Sequence, residues 1–266
     1  MRATLPLIAL AFLLQGCTIL NGSGLNGPDK TVPIEPLPEV TAASPAEANP
    51  TTETTDPPMP DRVHWVRNSA EYQAALYQVY QLALAQVEKL ADGRAPGTWA
   101  VALDGDETVL SNSPYEKARG GTGLEENSWR EWVESRQAPA LRGALPFLQR
   151  VREMGGKIAI VTNRSQHSCP ATEDNFHARD LPFDVILCRT DDSQKEPRWE
   201  RVENGTAKEG MAPAEILVWV GDAITDFPNL DQELRFEPDG AFSAFGERFF
   251  IVPNPLYGGW RRNPRD

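Results

Sequence analysis

Histidine and cysteine are scarce in this chain, at three residues each among 266. His64, His167 and His177 share no metal-ligand spacing, which argues against a zinc centre. Positive charge is also short, with 26 Lys and Arg against 38 Asp and Glu, a net charge of −12 and a pI near 4.8. That balance lacks the basic footprint that nucleic-acid binding needs. It leaves room for small anionic substrates, because a local cation or metal can reverse the sign inside a cleft. No internal repeat is visible. The almost unbroken apolar run from Leu5 to Leu14 is too short to span a bilayer as a helix. What remains, 40% hydrophobic and 24% charged residues, suits one globular domain with extensions.

Arg2 followed by that apolar run has the layout of a signal segment. Leu14-Gln15-Gly16-Cys17 then resembles the bacterial lipobox, which implies a lipoprotein signal peptide over 1–17 and lipidation of Cys17. The alternative is a plain secretory signal with an incidental cysteine. Two acyl chains would hold the protein stably on a membrane. Residues 18–60 are rich in Pro, Thr, Ala, Glu and Gly and poor in large apolar side chains, so they read as a disordered tether. Cys169 and Cys188 are left as an even pair in an exported domain. Export permits a disulfide between them, and two small buried thiols are the alternative.

The folded domain is expected over 61–266. Asn68 followed by Glu71 reads as a helix start, and Tyr72, Leu76, Val79, Ala83, Val87 and Leu90 recur at helical spacing before Gly93. Short apolar runs then alternate with helical stretches: Trp99 to Leu103, Ile158 to Val161, Phe183 to Leu187, Ile216 to Val220 and Phe249 to Val252. Continuous rather than alternating apolarity marks strands buried on both faces. The fold class is therefore α/β, a Rossmann-like parallel sheet with helices on both faces, whose ligand site lies at the carboxyl ends of the strands. About forty residues separate the first strand from the helix beginning at Ala144, longer than an ordinary loop. This insert, about 107–142, carries Tyr115, Trp129 and Trp132 and is expected to form a small cap.

Four strand ends carry the chemistry. Asp104 and Asp106 are two carboxylates that suit a hard cation, with one oxygen left as nucleophile. Val161-Thr162-Asn163-Arg164 offers a hydroxyl and free amides to a phosphate, although Thr162 also reads as a helix cap. Ser193 to Glu196 reads as a capping box, which places Lys195 in a first helical turn, where a cation makes sense opposite an anion. Asp222 and Asp226 add two more acids, and a third carboxylate beside the first pair is repelled unless a cation sits among them.

The order acid pair, Thr, Lys, acid pair resembles the four-motif signature of the haloacid dehalogenase superfamily. WVRNSAEY (65–72), DGDETVLSNSPY (104–115), WREWVESRQ (129–137), VTNR (161–164), GDAITDF (221–227) and PNPLYGGW (253–260) narrow the resemblance. They look like the class C acid phosphatases, the outer-membrane lipoprotein type that includes lipoprotein 5′-nucleotidases. Gly105, Ser111 and Ala223 depart from the usual pattern of that family. The resemblance implies a Mg²⁺-dependent phosphomonoester hydrolase anchored at the bacterial outer membrane. Asp104 is then the nucleophile, Asp106 the acid and base, and Thr162 and Lys195 the phosphoryl anchors. Mg²⁺ is held by the Asp104 carboxylate, the Asp106 carbonyl and Asp222, with Asp226 in support through water or Lys195. Asn163, Tyr115, Trp132 and Tyr257 are the candidate substrate contacts; Tyr115, Trp129, Trp132 and Tyr257 could form a slot for a flat ring, although at least two of these four aromatics are expected to be core or cap packing instead. Two competing readings remain at this level, a catalytically silent phosphatase fold acting as a ligand-binding lipoprotein and a phosphotransferase using the same aspartyl-phosphate.

Overall fold

The computed structural model describes residues 59–265. The expected signal peptide, the lipidated Cys17 and nearly all of the expected tether lie outside the described residues. None of the described helices is long and apolar enough to cross a membrane.

Two helices open the domain, α1 (Asp61–Asn68) and α2 (Ala70–Ala91). The start of α2 is set by Ser69 rather than Asn68. Ser69 is extended and its hydroxyl accepts from the Tyr72 amide at 3.1 Å, while Asn68 closes the preceding helix. Tyr72, Leu76, Tyr80, Ala83 and Val87 form the buried stripe of α2, and its chain turns away through Gly93 at φ +71°.

Five strands follow: β1 (Trp99–Leu103), β2 (Lys157–Ser165), β3 (Val185–Arg189), β4 (Glu215–Gly221) and β5 (Phe249–Ile251). All pair in parallel, in the order β3-β2-β1-β4-β5. β3 begins two residues later than its apolar run. Asp184 is the reason, since its carboxylate accepts from the Ile158 amide at 2.8 Å and fixes the start of β2, while Phe183 packs on Phe176. Alternate residues feed two cores. Trp99, Val101, Leu103, Ile158 and Ile160 meet α2 and α5 (Ala144–Glu153) on one face. Ala100, Ala102, Ala159 and Val161 meet α7 (Glu196–Glu203) on the other. Small alanines on that second face leave room for Trp199 and Trp219, whose rings meet edge to face at 6.2 Å.

Between β1 and α5 the insert forms two short helices, α3 (Ser113–Ala118) and α4 (Glu126–Glu134). α6 (Cys169–Ala178) links β2 to β3, and a disulfide joins Cys169 at its start to Cys188 in β3. The free-thiol alternative is thereby set aside. The bond ties the layer beside β2 to the edge of the sheet.

Candidate active site

β1, β2 and β4 are adjacent, so their carboxyl ends bring Asp104, Thr162 and Asp222 to one edge of the sheet. Asp104 continues the sheet by one hydrogen bond, its amide to the Val220 carbonyl at 2.9 Å. The chain then wraps tightly: the Glu107 amide donates to the Leu110 carbonyl at 2.8 Å, with Glu107 at φ +53°. The Glu107 carboxylate is fully enclosed and accepts from the Asn112 amide at 2.6 Å and from its side chain at 3.0 Å. Burial, and then the neighbouring Asp106 charge, push its carboxyl up to about 8.

Asp106 is held from two sides. Asn112 Nδ2 donates to it at 2.8 Å, and the Arg164 guanidinium grips it through Nε at 3.0 and 3.1 Å and Nη2 at 2.7 Å. Trp132 Nε1 in turn donates to Asn112 Oδ1 at 2.7 Å, so the cap positions Asp106 through a relay of two side chains. Arg164 is 3% exposed and lies 5.8 Å from the Trp129 ring.

Lys195 is buried between two acids, donating to Asp104 and lying 2.7 Å from Asp226 Oδ1. Burial opposes its charge, but Asp104 and Asp226 outweigh that and raise its pKa. Lys195 occupies the cap position of α7 rather than its first turn, and the expected capping box does not form. Pro197 explains this, because it has no N–H to donate to the Ser193 carbonyl, as a helix beginning at Ser193 would require, whereas it is tolerated in the first turn of a helix that starts at Glu196. Arg198 fills the space instead. It donates to the Thr162 carbonyl, to Asn163 Oδ1 at 2.7 Å and to the Gln194 carbonyl at 3.1 Å, locking the Lys195 turn against β2.

Asp226 folds back over Gly221, where a Cβ would lie 2.2 Å from the Asp226 Cβ; only glycine permits that approach. Its second oxygen accepts from the Ala223 amide at 2.8 Å. Asp222 accepts from Asn254 Nδ2 at 2.7 Å. Ligand oxygens of Asp104, Asp222 and Asp226 all lie within 4.8 Å of one another. Burial raises the Asp104 carboxyl to about 7; Lys195 pulls it down, and the Asp226 and Asp106 charges push it back up. Burial and the Asp226 and Asp104 charges raise Asp222 well above the usual carboxylate range. Three acids meeting one lysine are under-compensated, and an all-oxygen donor set of this kind fits a hard divalent cation. The Asp106 carboxylate stands outside the cluster, turned to Arg164 and Asn112.

These residues open on a cavity of about 210 Å³ whose walls include Asp104, Asp106, Asn163, Asp222, Trp129 and Tyr257. Two expected substrate contacts lie elsewhere. Tyr115 is 5% exposed, bonds to Ser128 Oγ at 2.9 Å and packs on Trp129 and Trp132, so it builds the cap interior. Trp132 is spent on Asn112, and Trp129 takes the place on the wall. Thr162 is fully buried beneath the cavity, its Oγ accepting from the Arg164 amide at 3.1 Å. It stands within β2, which runs on to Ser165, so it does not cap a helix. Gly105 also has a local reason, since a Cβ there would meet Thr162 at 3.2 Å. Arg164, Asn112 and Asn254 were not singled out from the sequence; VTNR contained Arg164, but nothing local indicates that it reaches Asp106.

The chain matches the family model of the haloacid dehalogenase superfamily, subfamily IIIB (acid phosphatase), over residues 39–260. It is 30% identical over 164 residues to acid phosphatase 1 of Solanum lycopersicum, across 58% of this chain and 57% of that one. The chain thus spans little more than half the length of that curated relative. The class C acid phosphatase from Bacillus anthracis superposes with a TM-score of 0.67 at 30% identity, covering 75% of this chain and 85% of that one. The same enzyme with tungstate bound gives 0.66 at 29% identity, with the same coverage. A strand-end acid cluster on a five-stranded parallel sheet, a cap inserted after β1 and these matches agree, and the chain belongs to the acid phosphatase family of the haloacid dehalogenase superfamily, subfamily IIIB, in its class C form.

Proposed function

We propose that the protein is a phosphomonoester hydrolase acting on small phosphate esters through an aspartyl-phosphate on Asp104. The observation that carries this reading is the pairing of a cavity-facing Asp104 with buried Lys195 inside an under-compensated acid cluster. The relative with bound tungstate, an oxyanion like phosphate, supports it.

Asp104 attacks phosphorus and the ester P–O bond breaks, with the leaving oxygen taking a proton from Asp106. Asp106 then accepts a proton from water as that water attacks the acyl phosphate, releasing phosphate and restoring Asp104. Lys195 anchors Asp104 and offsets phosphoryl charge from below. The Asp104, Asp222 and Asp106-carbonyl oxygens would hold Mg²⁺, which supplies charge neutralisation to the phosphoryl group. Trp129 and Tyr257 on the cavity wall favour flat leaving groups, 5′-nucleotides and aryl phosphates among them.

The signal segment and the Cys17 motif support export and lipid anchoring at the bacterial outer membrane, and a disulfide suits an oxidising compartment. Cys17→Ser would then release the protein from the membrane fraction; unchanged partitioning contradicts the anchor. The functional test is phosphate release from nucleotides and aryl phosphates with Mg²⁺ or chelator. Mg²⁺-dependent release is expected, and no release under either condition overturns the reading.

A further inference from the structure

A second cavity, of about 300 Å³, adjoins the catalytic one across Trp129, Asn163 and Arg164, which line both. Its outer wall carries Arg130 of α4, Arg189 and Ser165 at the ends of β3 and β2, and His167 and Ser168 from the turn that leads into α6. Glu126 is the single carboxylate in its lining. Among the described residues neither Arg130 nor Arg189 forms an ion pair, whereas Arg164 is already matched by Asp106. Arg130 has only a neutral partner, Asn127 Oδ1 at 3.2 Å. His167 lies 3.7 Å from Glu134, which is outside the lining. Two uncompensated guanidiniums against one carboxylate give this cavity a positive character, in a protein of net charge −12. The positive end of the α6 dipole at Ser168 adds to it.

The position of Asp106 says what reaches this cavity. In the proposed reaction the leaving oxygen must lie against Asp106 to be protonated. Arg164 grips that carboxylate and lines both cavities, so the group attached to the leaving oxygen emerges beside Arg164. We infer that the second cavity is an anion subsite for the alcohol part of the substrate. It selects phosphate monoesters that carry a further carboxylate or phosphate beyond the ester oxygen. The inference rests on the phosphatase reading for its direction, but the basic lining is independent of it.

The test compares 6-phosphogluconate with sorbitol 6-phosphate, which match in length and differ at the far end, carboxylate against hydroxymethyl. Wild-type enzyme with Mg²⁺ is expected to favour 6-phosphogluconate in kcat/KM by about fivefold or more, the scale of two partly exposed charge contacts. The Arg130→Ala/Arg189→Ala double variant should bring that ratio close to one, and the Arg130→Lys/Arg189→Lys pair should restore part of it. The wild-type preference should shrink as salt rises. A wild-type ratio near one, or a preference that survives the alanine pair, overturns the subsite. If neither ester is hydrolysed, calorimetric binding of the two intact esters decides the subsite, while the phosphatase reading stands or falls on release from nucleotides and aryl phosphates. Tighter binding of 6-phosphogluconate supports the subsite, and equal binding overturns it.

Discussion

Metal removal should make the folded protein sensitive to pH in an unusual direction. In the metal-free fold Asp104 has its carboxyl raised from 3.8 to about 7, chiefly by burial and by the Asp226 and Asp106 charges acting against Lys195. A group raised in the folded state binds its proton more tightly there than in the unfolded chain. Stability therefore falls as pH rises from about 4 to about 7, the reverse of the usual acid loss. Each pH unit corresponds to 1.36 kcal/mol, so Asp104 alone costs about 4 kcal/mol once fully ionised. Asp222 and Glu107 are raised by the same physics and act in the same direction. About two of those units fall above pH 5, roughly 3 kcal/mol, and for a domain of this size about 1 kcal/mol moves Tm by about 2–4 °C, so Tm should fall by roughly 6–12 °C between pH 5 and pH 8. The assay is thermal unfolding of metal-stripped protein across that range, repeated with saturating Mg²⁺, which should cancel most of the loss. Asp222→Asn should flatten the stripped curve by removing one of the repelling charges. A stripped Tm that is level or rises with pH, with no gain from Mg²⁺, would refute the claim that the acid cluster awaits a cation.

Other perturbations separate the parts of the site. Asp222→Ala should lose nearly all activity even at high Mg²⁺ while still folding; full activity would remove Asp222 from the cation site. Trp132→Phe breaks the bond to Asn112, so kcat should drop about fivefold to twentyfold with little change in KM, because one hydrogen bond that orients Asp106 is worth about 1–2 kcal/mol. A change confined to KM would mean that Trp132 contacts substrate directly. Tyr257→Ala should raise KM for nucleotides about tenfold and leave a small aliphatic phosphate nearly unaffected, since stacking is worth about 1–3 kcal/mol per base. Tyr115→Phe should instead lower stability without altering substrate preference, as its hydroxyl serves Ser128 inside the cap.

The parallel sheet was readable because β1 to β4 are continuous apolar runs with no polar alternation, the mark of strands covered on both faces. Their carboxyl ends then fixed where Asp104, Thr162 and Asp222 would meet. Local signals misled where tertiary forces were stronger. Ser193 to Glu196 carries a capping-box spacing, yet Pro197 and the pull of two carboxylates put Lys195 at the helix boundary. Core or cap packing is expected for at least two of Tyr115, Trp129, Trp132 and Tyr257, but nothing in the sequence says which two. An aromatic on a short cap helix suits a ligand wall or a cap interior equally, and the polar partners of Tyr115 and Trp132 decide for the interior. Arg164 reaches Asp106 across 58 positions of chain, and no spacing rule reports a contact of that range.

The central claim is that Asp104 carries the phosphoryl group. The most direct measurement is to quench the enzyme during turnover with an aryl phosphate, reduce it with borohydride and map the product by mass spectrometry. Reduction of an aspartyl-phosphate leaves homoserine, and the account predicts it at position 104 in wild-type enzyme and its absence in Asp104→Asn, together with loss of turnover. Sustained turnover by Asp104→Asn, or a trapped phosphoryl group at any other residue, would contradict it.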